Sequence, residues 1–497
     1  MAGTLATGAT LWLPKSSAGH HGSTHWGTLR EGVWDSRARD YKILEIFLTG
    51  GLSPWETFYV DNPGTNESDD TSSPESWRGS FGFAAAVECA PSPGGEFSRA
   101  FPVPDSPVHF GFATRALWDA PEGETPMWDR TRVVVVRHNQ APHEGGIPIS
   151  LTGLRLGNPR LAGLGAPIDR HVRAGGGDLA ADRVFPAAYF LEPDGTNAEL
   201  DNAVSVGQHG PGYRPVRFPL TGAAEFRAAL ARTTTGGGGS YDGLIDAYRA
   251  SFTDALSHGG SQLRSTGLDG YSSARNALGI APALEEIIGD TLDVPAARLV
   301  RCDSEEAYPL EQALDLALDL LNREDETQRA GYVGIAEKRD RYDGHRANAA
   351  HNIPTLAALL SLLKRKVFPE GAGLPTLNLD DTMVVLTSEF GRTPWWQVGR
   401  TDGRNHHPEG SLSVLIGGPI PVGRSGYAGS MTSAGYAADD AFTPADVRAA
   451  VLMAAGIDPL ETPDVFSISD LSIPSGAAEE ALRLRTLREE ILGVEEA

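Results

Sequence analysis

Histidines and carboxylates in this chain gather just after apolar runs. Residues 42–49 lead into Gly50-Gly51-Leu52-Ser53-Pro54-Trp55-Glu56-Thr57, and residues 132–137 into His138 and His143-Glu144. Residues 331–336 lead into Asp340, Asp343 and His345, residues 381–387 into Ser388-Glu389, and His406-His407 precede the run 412–416. In doubly wound sheets ligands sit beyond the carboxyl ends of the strands, which is where these side chains would meet. Imidazole with carboxylate is the donor set of a Zn, Mn or Ca site, because hard and borderline cations want anionic oxygen and zinc also accepts nitrogen. A metal so held makes a water nucleophilic or clamps a phosphoryl or sulfuryl oxygen.

Spacing alone leaves each pattern open. Asp343-Gly344-His345 is also an ordinary surface turn, and His406-His407-Pro408 in a polar loop is commonly solvated. Glu389, at the end of a buried strand, must be paired or metal-bound if it lies inside, and an ion pair with Arg392 or Arg404 would serve as well as a metal. Trp395-Trp396 reads as an aromatic rim or a core anchor, and Leu151-Thr152-Gly153 as a helix ending in a glycine cap.

The elements that must position these residues follow from periodicity. Short β-rich apolar runs at 42–49, 132–137, 331–336, 381–387 and 412–416 predict buried strands. Helical spacing appears at 241–256, 272–288, 309–322 and 353–366, with a short helix over 149–155. Thr443-Pro444 is an N-cap followed by proline at the first helical position, so 443–455 is a helix as well. Strands alternating with helices predict an α/β fold, a mainly parallel sheet with helices on both faces. Residues 61–110 read as a surface insertion, 233–240 as a linker, and 476–490 as a solvated charged helix.

Composition bounds the function. A chain of 497 residues with 40% hydrophobic residues has a sizeable core, and a formal charge of −23 repels nucleic acid and anionic membranes. Cys89 and Cys302 lack metal-binding spacing; one bridge or two thiols are open, and inert thiols are favoured. The uncharged apolar start, followed by Ser17-Ala18-Gly19, reads as the remnant of an export signal within residues 1–20. No stretch reaches the length of a membrane span.

Ser388-Glu389-Phe390-Gly391-Arg392-Thr393-Pro394, with Gly403-Arg404-Asn405-His406-His407-Pro408-Glu409-Gly410, strongly resembles DUF1501, a bacterial family of unknown function usually exported by the twin-arginine route. The segments at 48–58 and 342–345 support the resemblance. That family is similar to the alkaline phosphatase and sulfatase superfamily, which binds one or two divalent metals at the carboxyl ends of a parallel sheet. The resemblance implies one alkaline-phosphatase-like domain over 40–475, with insertions at 61–125 and 233–325 and a charged helix at 476–497. It implies that Asp343, His345 and His406 form one metal subsite, and that Glu389 with Glu56 and His143 forms a second. Ser53 stands in the place of an early Asp, Phe390 in that of a second His, and Asn405 in that of an Asp. His143 stands at the nucleophile position as metal ligand, covalent nucleophile or substrate-binding imidazole, while Arg392 or Arg404 would hold the oxyanion. His138 and His407 are further candidates.

Two functions are therefore expected. The first is an exported metal-dependent hydrolase of phosphate or sulfate esters, periplasmic or extracellular, acting on a small anionic ester. The alternative is a catalytically degenerate exported binding or assembly protein. Substrate, metal identity and oligomeric state do not follow from the sequence.

Overall fold

The computed structural model describes residues 41–60, 101–104, 106–156, 158, 162–175, 187–191, 216–219, 296–301, 304–324, 329–346, 348–371, 374–397, 403–460, 466, 468–471 and 480–495. Ten strands position the site: β1 (Lys42–Phe47), β2 (Thr131–Val136), β3 (Ala187–Leu191), β4 (Val216–Pro219), β5 (Tyr332–Ala336), β6 (Thr382–Thr387), β7 (Gly391–Trp396), β8 (Arg404–His407), β9 (Ser411–Gly417) and β10 (Gly426–Ala428). The main helices are α1 (His143–Thr152), α2 (Gly165–Gly175), α3 (Leu310–Leu321), α4 (Asn348–Val367), α5 (Pro444–Ala454) and α6 (Glu480–Leu492).

Eight strands form one sheet in the order β10-β2-β9-β6-β1-β5-β3-β4. The apolar run of β1 makes it central: Lys42 to Phe47 pair in parallel with Thr382 to Thr387 on one side, and Ile43 to Phe47 with Tyr332 to Ala336 on the other. The fold is thus α/β with a mostly parallel sheet. Only β9 runs against its neighbours β6 and β2. Between β6 and β9 the chain forms the β7–β8 hairpin rather than a crossover helix, so it re-enters the sheet in the opposite direction.

Side-chain alternation divides the core into two layers. Leu44, Ile46, Val133, Val135, Val333, Ile335, Val384 and Leu386 face α3 and α4; Ile43, Phe47, Val134, Val136, Met383 and Val385 face the layer containing α1, α5 and α6. Burying each such side chain contributes roughly 1.5–3 kcal/mol. Thr443 and Asp446 form a capping box at the start of α5, with Pro444 at its first turn.

Several sequence expectations change. The helix expected at 149–155 begins at His143 and ends at Gly153, whose φ of 76° makes the left-handed cap. The tail helix is not solvated, since Leu484, Leu487, Ile491 and Leu492 form a buried stripe. Residues 101–110 are not a loose surface insertion, because Val103, Val108 and Phe110 belong to the core. Helix 309–322 is seen as Leu310–Leu321. Residues 1–20, the linker 233–240, the helices expected at 241–256 and 272–288, Cys89 and Cys302 lie outside the described residues.

Candidate metal centre

The carboxyl ends of β1, β2, β5 and β6 open onto one place. After β1, Gly50 adopts φ 120°, where a Cβ would collide with the Asp343 amide, so glycine lets the two segments touch. After β2 the loop delivers His143 to the first position of α1. After β5 a short 3-10 turn, Arg339–Arg341, throws Asp343 and His345 over the sheet. After β6 comes Glu389, and the β7–β8 hairpin folds back to present His406.

Asp343 is the hub. Its Oδ2 lies 3.5 Å from His143 Nε2, and its Oδ1 lies 3.2 Å from His345 Nε2 and 3.5 Å from His406 Nε2. Each imidazole is held from behind through its other nitrogen: His143 Nδ1 by Glu389 Oε1 at 2.8 Å, His345 Nδ1 by Gln397 Oε1 at 3.2 Å, and His406 Nδ1 by the Ala141 carbonyl at 2.9 Å. A carboxylate and carbonyl oxygens accept, so the Nδ1 atoms donate outward and the Nε2 atoms face inward, with His143 keeping a proton on its Nε2 below about pH 9. His345 Nε2 and His406 Nε2 then stand 3.0 Å apart. Two lone pairs at that distance repel unless a cation, proton or metal, lies between them. His143, Asp343 and His406 have ligand atoms all within 4.8 Å of one another and could bind a metal ion. Asp343 and His345 keep 21% and 33% of their side-chain surface exposed, which leaves an open side for a substrate.

Electrostatics fit a cation site. Burial works against a charged His143, but hydrogen bonds and charge from Asp343 and Glu389 outweigh it and raise the pKa to about 9. Burial likewise opposes the Asp343 anion, yet the three histidines and Arg392 hold its carboxyl far below the usual carboxylate range. Burial, reinforced by the positive charges of Arg392, His143 and His345, pushes His406 down.

The expected residues divide into those that converge and those that do not. His143 joins Asp343, His345 and His406 rather than a second subsite. Glu389 stands behind His143, its Oε1 also accepting from the Gly50 amide at 2.7 Å and its Oε2 from Ser388 at 3.2 Å. Glu56 is drawn elsewhere, paired with Arg404 Nε at 2.6 Å and hydrogen-bonded by Ser53. Arg404, also donating to the carbonyls of Thr393 and Pro394, is fully buried, as is Arg392. Neither guanidinium faces solvent where an ester oxyanion would arrive. His138 donates through Nε2 to the Glu389 carbonyl at 2.6 Å while accepting from Gln140 N; burial pushes its pKa down to about 4. His407, alternating with His406 along β8, turns to the Gly435 carbonyl at 2.8 Å. Phe390 stacks on His406 at 4.2 Å and leans on His143 at 5.0 Å. Asn405 accepts from the His406 amide through Oδ1.

Sequence reasoning missed Gln397 and the Ala141 carbonyl, which orient two of the imidazoles. Gln397 left a faint signal as the polar residue directly after the aromatic strand Trp395-Trp396. A backbone carbonyl leaves none.

Residues 356–465 match the model of a family described as a protein of unknown function (DUF1501). The match includes Glu389, Arg392, Arg404 and His406, while His143, Asp343 and His345 precede it. No curated protein matches the chain. Among the described residues no helix is long and apolar enough to cross a membrane.

Proposed function

We propose that this chain is a metal-dependent hydrolase of phosphate or sulfate esters, on an alkaline-phosphatase-like sheet. The observation that carries the reading is the convergence of three imidazole Nε2 atoms on the Asp343 carboxylate, each imidazole anchored outward through Nδ1. Ligating histidines are commonly fixed in this way by a second hydrogen bond, which sets the tautomer and raises basicity. Asp343, His143, His345 and His406 would hold the ion, and a donor set richer in imidazole than in oxygen suits zinc better than calcium. When bound, such an ion supplies Lewis-acid polarisation of an ester oxygen and eases deprotonation of water.

The chain's own groups narrow the route. Ser388 Oγ is taken by Leu48 O, Leu52 N and Glu389, and Ser53 Oγ by Glu56, so neither is a poised nucleophile. Both nitrogens of His143 are engaged, one by Glu389 and one facing Asp343. Water is therefore the attacking group in this reading, and Arg392 orients Asp343 instead of gripping an oxyanion. In this reading the chain is exported to the periplasm or beyond, by the twin-arginine route that its resemblance to DUF1501 implies.

The test is metal analysis of the purified chain, followed by turnover of a panel of phosphate and sulfate esters with zinc or manganese supplied. Bound metal and turnover, both lost in His406→Ala, are expected. A metal-loaded protein inert on the whole panel overturns the hydrolase and leaves the binding protein.

A further inference from the structure

We infer that the centre takes a single divalent ion, and that the Arg392 guanidinium is a built-in cation filling the place beside Asp343 where a second would stand. The inference rests on the metal-site reading above and deepens it.

Arg392 reaches the site from β7 with no exposed surface. Its Nη2 donates to Asp343 Oδ1 at 2.6 Å, to the Tyr342 carbonyl at 3.2 Å and to the Gly50 carbonyl. Its Nε donates to the Gly51 carbonyl at 3.1 Å and its Nη1 to the Arg404 carbonyl at 3.2 Å. Four carbonyl oxygens and a carboxylate around one positive charge make the kind of cage that a hard cation takes from proteins. Here the guanidinium already occupies it.

The remaining carboxylates are spent as well. Glu389 accepts from Gly50, His143 and Ser388, and Glu56 from Arg404 and Ser53, both carboxylates being buried. The Phe390 ring covers His143 and His406 on another side and offers carbon where a donor would be needed. Among the described residues, His143, Asp343 and His406 are the one group whose ligand atoms lie close enough to share an ion. Charge agrees: Asp343 and Glu389 against Arg392 and one divalent ion leave a net +1, whereas a second divalent ion would raise it to +3.

Native mass spectrometry and isothermal titration of the full chain with excess zinc or manganese decide the question. One ion per chain is expected. Two ions overturn the inference while leaving the metal site standing, and none overturns the reading beneath it. Arg392→Ala adds a second measurement, because the emptied cage should be refilled from solution. Millimolar methylguanidinium is expected to raise the melting temperature of this variant and not that of the parent. If the folded variant responds neither to methylguanidinium nor by taking up a second metal ion, the role given to Arg392 fails. Should the variant not fold, the stoichiometry of the parent still decides.

Discussion

Glu389 Oε1 lies 2.8 Å from His143 Nδ1 and 2.7 Å from the amide of Gly50, so one carboxylate oxygen ties the end of β6 to the start of α1 and the end of β1. The same contact fixes which nitrogen of His143 faces Asp343. A carboxylate behind a ligating imidazole also makes it a better donor.

Replacing Glu389 by Gln keeps the shape and removes the charge. Metal affinity should fall about 10–100-fold, the usual loss for an outer partner of a ligating histidine. The His143 pKa should also fall below about 9, because the Glu389 charge and hydrogen bond help to raise it. Isothermal titration and histidine NMR of the metal-free variant check both. Unchanged affinity would remove Glu389 from the site.

The pH dependence follows from His143. Its folded pKa, about 9, lies above the ordinary 6.5, so its contribution to folding is fully present below about pH 6.5 and is lost as pH rises through 9. Metal-free protein should lose at most about 1.4 kcal/mol per pH unit over that window. Metal must displace this proton, so affinity should climb up to tenfold per unit over the same range, with a proton released. Titration in buffers of different ionisation enthalpy measures that proton, and a pH-independent affinity would contradict the assignment.

Gly50→Ala should cost roughly 1–3 kcal/mol from backbone strain alone, since φ 120° is hostile to a side chain. The new methyl would also push on the Asp343 amide and the Arg339 carbonyl, so metal affinity should fall with stability. Urea denaturation and metal titration of the same sample test the pair. A variant that loses stability and keeps full affinity would separate the turn from the site.

Glu45 and Arg448 form a buried ion pair at the centre of the sheet. Tyr332 donates to Glu45 at 2.7 Å and Arg448 to the Ser150 carbonyl at 2.7 Å. Arg448→Met should destabilise by roughly 3–5 kcal/mol, because it strands a buried carboxylate. The double change Glu45→Leu with Arg448→Met should recover most of the loss in urea denaturation. No recovery would show that the pair does more than neutralise itself.

Sequence alone determined the scaffold and the neighbourhoods. Apolar runs of strand length, each ending in polar residues, located β1, β2, β5, β6 and β9, because strand burial is written in local hydrophobicity. The cap of α5 was equally local. β3, the edge strand β4 and the β7–β8 hairpin were not legible, since their pairing depends on partners far along the chain.

Tertiary structure alone decided the partners. Glu56 and Arg404 stand 348 positions apart and Glu389 and His143 stand 246 apart, and nothing local says that the first pair neutralises itself while the second serves a site. The cluster of carboxylates and histidines visible at the strand ends thus held both a group that could bind a metal ion and ion-pair partners. Which became which was fixed by burial: a charge taken out of water must find the nearest opposite charge or donor, and only the folded chain sets what is nearest.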